Sequence, residues 1–159
     1  MTASWPREVF RVVRWAAYVL FYGYAGLLVV AGAWGVVFAH VDQWWLLGLD
    51  LNLVGDETVQ SNVLTQYRFL RAVELGFGLA AFRYRHDIFH AEGFYGLFLA
   101  VMVLGVVARA ISLVLDGTPD ARFLVFMALE AAGAITIYLT ATDSRRAVAT
   151  RDVRAAAHA

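Results

Sequence analysis

The sequence predicts an all-α integral membrane protein, a bundle of four transmembrane helices with both termini in the cytoplasm. Hydrophobic residues make up 61% of its 159 residues and charged residues 16%, against roughly 25% in soluble proteins. Four apolar stretches, about residues 15–39, 63–82, 94–115 and 123–141, each approach or exceed the ~20 residues that cross a bilayer. The arginines outside them are uneven. Three in the head, two in the middle turn and four in the tail fall beside one set of helix ends, while Arg122 stands alone beside the other. The basic side is cytoplasmic, and no stretch is left over for a second soluble core.

Residues 1–14 form a basic interfacial head. Ser4 is placed to cap a helix with Pro6 in its first turn, and Arg7, Arg11 and Arg14 follow at i, i+4 and i+7, a stripe suited to lipid headgroups. Trp5 and Trp15 suit the same interface. The four-helix domain spans residues 15–141. Its first helix, residues 15–39, carries no formal charge and is too long for a secretory signal, so it reads as a retained membrane helix. Gly23, Gly26, Gly32 and Gly35 allow close approach of a second helix, and packing is also the simpler role for Tyr18, Tyr22 and Tyr24.

Residues 40–61 read as an acidic, amphipathic outer cap with Asp42, Asp50, Asp56, Glu57 and the Trp44–Trp45 pair. The alternation from Leu47 to Val54 predicts a short strand or extended segment at the interface. Asp56 and Glu57 lack the spacing of a calcium loop and read as a solvated acidic loop. The second helix, residues 63–82, ends in the basic turn Arg83 to Asp87. The third, residues 94–115, holds Arg109 in an aliphatic run and stops at Asp116-Gly-Thr-Pro-Asp, a dense cluster of turn residues. The fourth, residues 123–141, has one acid, Glu130. Residues 142–159 form a basic cytoplasmic tail, expected to be frayed or disordered, with Arg145, Arg146, Arg151 and Arg154 toward the inner leaflet.

The chemistry lies in the charges within the apolar stretches. Arg68, Arg71 and Glu74 share a side of the second helix because three-residue spacing brings side chains together. At 1.5 Å per residue, Arg68, Arg71 and Glu74 lie roughly 8, 12 and 17 Å below the outer end, Arg109 roughly 9 Å and Glu130 roughly 10 Å. Ser112 sits one turn above Arg109, and Asp116 is a further acid near the mouth. A charge at a helix centre costs about 2.5–3.5 kcal/mol, against about 0.3–0.6 gained per large apolar residue, so the second helix inserts only marginally without partners. The expected matches are Arg71 with Glu74 and Arg109 with Glu130 or Glu74. Two uses fit this set: a buried ion-pair network that fixes helix register, or a positively biased outer pocket for a lipid headgroup or small anion, since arginine forks match carboxylate and phosphate. Catalysis would need Glu74 or Glu130 as acid or base.

Several chemistries fall away. No cysteine is present, which excludes disulfides and thiolate nucleophiles. Nucleotide-binding glycine patterns and a Gly-x-Ser-x-Gly elbow are also missing; Gly76-Phe-Gly is only two glycines in a membrane helix. His86 and His90, spaced i, i+4 with Asp87 and Glu92 adjacent, read as a solvated pair, so no metal or cofactor is assigned.

At Tyr67-Arg-Phe-Leu-Arg-Ala-Val-Glu-Leu-Gly-Phe-Gly-Leu, then Gly105 to Pro119 with Arg109, Ser112 and the Asp116-Gly-Thr-Pro turn, then Glu130, the chain resembles a family of small bacterial four-helix membrane proteins, domain of unknown function 4345. The resemblance covers about residues 15–141. The family is similar in architecture to the wider DoxX-like group, some members of which serve redox pathways, and this implies the bundle and a multi-pass location in a bacterial cytoplasmic (inner) membrane. Fold likeness supplies no reaction. A non-enzymatic accessory or ligand-binding protein is therefore expected, with membrane lipid, a second copy or another membrane protein as partner, and no nucleic acid. The rival readings are an intramembrane enzyme on an amphipathic substrate and a small oligomeric transporter.

Overall fold

The computed structural model describes the backbone of residues 7–156 and the side chains of residues 8–145. The Ser4 cap, Pro6, Trp5 and the side chains of Arg7, Arg146, Arg151 and Arg154 lie outside these. Among the described residues every regular element is helical: α1 (Arg7–Val37), α2 (Ala39–Leu47), a 3-10 turn (Leu51–Leu53), α3 (Glu57–Arg83), α4 (Arg85–His90), α5 (Tyr95–Leu115) and α6 (Ala121–Ala156). Three helices are long and apolar enough to cross a membrane, over Glu8–Val37, Tyr95–Leu115 and Ala121–Arg145. The α5 surface carries exposed Val103, Leu104, Val107, Ile111 and Val114, an apolar face that suits lipid rather than water. The protein is a multi-pass membrane protein by this composition. At 27 residues α3 is long enough to span, about 40 Å, but Glu57, Arg68, Arg71, Glu74 and Arg83 keep it out of the apolar set.

The connection after α1 differs from the extended cap expected of it. Its first part is helix α2, whose Ala39, Asp42 and Gln43 are buried at i, i+3, i+4 while Trp44 and Trp45 are exposed. Gly48, at φ +66°, closes α2: its N–H bonds to the Trp44 carbonyl at 3.0 Å and the next N–H, of Leu49, to the Gln43 carbonyl at 3.4 Å. Asp50 then accepts a hydrogen bond from the Asn52 N–H at 3.0 Å and winds the next residues into the 3-10 turn. This local bond overrides the alternation: Leu51 is buried and Leu53 exposed, although a strand would put both on one face. Asp56 is likewise more than a solvated acid. Its Oδ1 accepts from the Thr58 and Val59 N–H groups, so it caps α3 and starts that helix before residue 63.

The chain resolves into two compact units, residues 1–22 with 84–159, and residues 23–83. In the first, Phe21 packs edge-on against Phe89 and tilted against Phe98, Tyr18 stacks on Phe89, and Ile88, Met102 and Ile137 complete a buried core. A Cβ at Gly133 would stand 3.0 Å from the Met102 side chain, which shows how closely α5 and α6 approach. The turn between them is closed at both ends: the Asp116 N–H bonds to the Ser112 carbonyl at 2.7 Å, and Asp120 accepts from the N–H and Nε of Arg122, both at 2.9 Å. The Arg122 bonds hold the exposed Asp120 carboxyl below its ordinary range. The tail is not separate from the last helix, since α6 continues to Ala156.

In the unit of residues 23–83, α1 lies against α3 through residues with little or no side chain. A Cβ at Gly32 would fall 2.7 Å from the Leu75 backbone nitrogen and 2.8 Å from the Arg71 carbonyl oxygen. One at Gly78 of α3 would fall 3.0 Å from the Ala25 carbonyl oxygen. Ala25 and Gly32, seven residues apart on α1, let its backbone meet that of α3.

Candidate functional site

The close approach of α1 and α3 houses the larger charged cluster. Helical spacing sets Tyr67, Arg71 and Glu74 on one face of α3 at i, i+4 and i+7, and α2 supplies Asp42. Nη1 of Arg71 donates to Glu74 Oε2 at 2.6 Å, and Nη2 lies 2.8 Å from Asp42 Oδ2. Nε and Nη2 both donate to the Tyr67 hydroxyl, at 3.1 and 2.7 Å, and that hydroxyl donates to Asp42 Oδ2 at 2.7 Å. The side chains of Arg71 and Asp42 are each only 8% exposed. Gly35 makes room for the guanidinium: a Cβ there would sit 2.7 Å from Arg71 Cδ and Nε.

Every nitrogen of this guanidinium is engaged, and one cation faces two carboxylates. The positive bias expected of the pocket is therefore not present around Arg71. A buried cation with matched geometry and a bridging phenol holds α2 on α3. Its chemistry is that of a clamp.

The unit of residues 1–22 and 84–159 holds a second, smaller pair. Arg109 of α5 donates through Nη1 to Glu130 Oε2 of α6. The two sides differ in access, for the Glu130 side chain is 8% exposed and that of Arg109 36%. Gly105, one turn before Arg109, faces the same carboxylate, with its notional Cβ 3.4 Å from Glu130 Oε2. One turn after Arg109, the Ser112 hydroxyl donates to Asp116 Oδ2 at 2.6 Å, which fastens the end of α5 to its turn.

A family model described as "Domain of unknown function (DUF4345)" matches residues 9–141. The chain belongs to this family. No curated protein and no solved structure matches it. Both charged clusters fall inside the DUF4345 segment, and the last turns of α6 fall beyond it.

Of the residues expected to meet in this DUF4345 chain, Arg71 with Glu74 and Arg109 with Glu130 are brought together; the bond of Ser112 to Asp116 joins two residues that were singled out separately. Arg68 is exposed and makes no ion pair among the described residues. The acid–base roles weighed for Glu74 and Glu130 gain nothing from the geometry, because each carboxylate is paired with an arginine. Sequence reasoning missed Asp42 and Tyr67. Tyr67 carried a usable signal, its i−4 spacing from Arg71. Asp42 carried one only if residues 39–47 are read as a helix whose polar positions turn inward.

Proposed function

We propose that the protein is a non-enzymatic accessory protein of the cytoplasmic membrane that binds an anionic lipid headgroup at Arg109. The observation that carries this is the unequal burial of the Arg109–Glu130 pair. Glu130 supplies the buried counter-charge, while Arg109 keeps N–H donors on the outward side with no other acceptor among the described residues. Those donors stand on a helix whose large exposed side chains are apolar, about 9 Å from its end at Leu115, within reach of a snorkelling arginine. In lipid they require an acceptor, and phosphate matches the guanidinium fork. The test is unfolding of the detergent-solubilised protein on addition of phosphatidylglycerol or phosphatidylcholine. Phosphatidylglycerol is expected to raise the melting temperature of the wild type by several degrees and that of Arg109→Gln hardly at all. Equal responses of the two proteins would remove the headgroup site.

The same reading takes α3 as a fourth crossing, inserted with its charges masked by Asp42, Tyr67 and Glu74 within the clamp, and both termini as cytoplasmic by the arginine asymmetry. The lack of cysteine makes this directly measurable. Single cysteines at Gly55 and Thr118 are expected to react with an impermeant maleimide in spheroplasts. A cysteine at His86 or Ala155 is expected to react only after lysis. Labelling of all four from one side would overturn the topology.

A further inference from the structure

Outside both charged clusters, the turn between α4 and α5 gathers three potential metal ligands of mixed type. A donor nitrogen of His86, a carboxylate oxygen of Asp87 and one of Glu92 all lie within 4.8 Å of one another. The backbone makes this approach. Ala91 adopts the left-handed conformation, φ 57°, and the Glu92 N–H bonds back to the Asp87 carbonyl at 2.9 Å, so the chain reverses and returns Glu92 to the start of α4. Gly93 follows where a Cβ would stand 3.1 Å from Asp87 Oδ2, leaving the carboxylate its space. The other histidine that spacing would nominate, His90, is not one of the three and engages the chain through one ring nitrogen. Its Nδ1 lies 2.9 Å from the His86 carbonyl oxygen, which can only accept, so that nitrogen carries the proton, and its ring stacks on His86 at 4.0 Å. The stack holds the His86 imidazole beside the two carboxylates.

We propose that His86, Asp87 and Glu92 form a binding site for a divalent transition metal of the zinc type. One imidazole nitrogen and two carboxylate oxygens suit zinc, nickel or cobalt, whereas a site for calcium or magnesium would be built of oxygen alone. Ligands on a tetrahedral zinc stand about 3.3 Å apart at bond lengths of about 2.0–2.2 Å. Small rotations of two exposed side chains, His86 and Glu92, close the triangle from its present span of up to 4.8 Å. Three protein ligands leave a coordination position for water or for a group from a partner. This site is independent of the headgroup reading, since none of its residues belongs to either charged cluster.

The experiment uses the full chain in detergent, stripped with chelator and titrated with zinc chloride, with bound metal counted by elemental mass spectrometry. About one zinc per chain is expected. The variants His86→Ala and Glu92→Gln should each weaken binding by about tenfold or more, as loss of a ligand does. The His40→Ala/His158→Ala variant should bind as the wild type does, and circular dichroism checks that all variants keep their helix content. No stoichiometric uptake by the wild type, or uptake unchanged in both His86→Ala and Glu92→Gln, would overturn the site.

Discussion

Replacing Arg71 with methionine is expected to destabilise the protein by about 3–5 kcal/mol, the cost of removing one partner from a buried ion pair. Methionine keeps an unbranched stem but not the guanidinium, so the loss combines the missing charge with the buried space that group filled. It leaves Asp42, 8% exposed, without its cation, and the Tyr67 hydroxyl without two of its donors. Restoring neutrality should recover part of the loss: Arg71→Met combined with Asp42→Asn is expected to be more stable than Arg71→Met alone, the sign of coupling between contacting residues. Reversible unfolding in mixed micelles measures both. A loss below about 0.5 kcal/mol for the single variant, the range of ordinary surface substitutions, would show that the cluster does not hold α2 on α3.

The second large effect concerns a glycine. Gly32→Ala is expected to cost about 1–3 kcal/mol, the range for overpacking a filled interior. The obstacle at Gly32 is backbone, the Leu75 nitrogen at 2.7 Å and the Arg71 carbonyl oxygen at 2.8 Å, so no rotamer change relieves it and α1 must move off α3. Gly23 and Gly26 of the same helix have open space where a Cβ would be, so Gly23→Ala and Gly26→Ala serve as matched controls and should be neutral or slightly stabilising. If Gly32→Ala melts with Gly26→Ala, the close approach of the two helices is not a source of stability. Gly35→Ala tests the clamp from its other side, because its notional Cβ meets the Arg71 side chain, which three partners already hold in place.

These two effects mark where the sequence was informative. Helix content was legible from apolar length alone, and the pairing of Arg71 with Glu74 from a spacing of less than one turn. The partner of Arg109 was narrowed to two acids by depth, and the geometry settles on Glu130. What stayed hidden was decided by short-range hydrogen bonds. The alternation in Leu47 to Val54 is a strand pattern by period, yet an Asp50 side chain bonded to the Asn52 N–H costs less than an unpaired strand edge. Asp56 looked like one more solvated acid because capping depends on where the helix begins, and polar residues from Gln60 to Asn62 disguised the first turn of α3. Asp42 was out of reach for a related reason: 25 residues separate it from Tyr67, and only helix α2 orients it inward.

The clamp around Arg71 is closed and the pair at Arg109 is open on its arginine side, which gives the two clusters different work. Native mass spectrometry of the protein released gently from its own membrane tests that division most directly. The wild type and Arg122→Gln, whose arginine is already engaged by Asp120, are expected to carry an anionic phospholipid of about one copy per chain, and Arg109→Gln to arrive without it. Equal lipid on all three proteins, or none on the wild type, would contradict a headgroup site at Arg109.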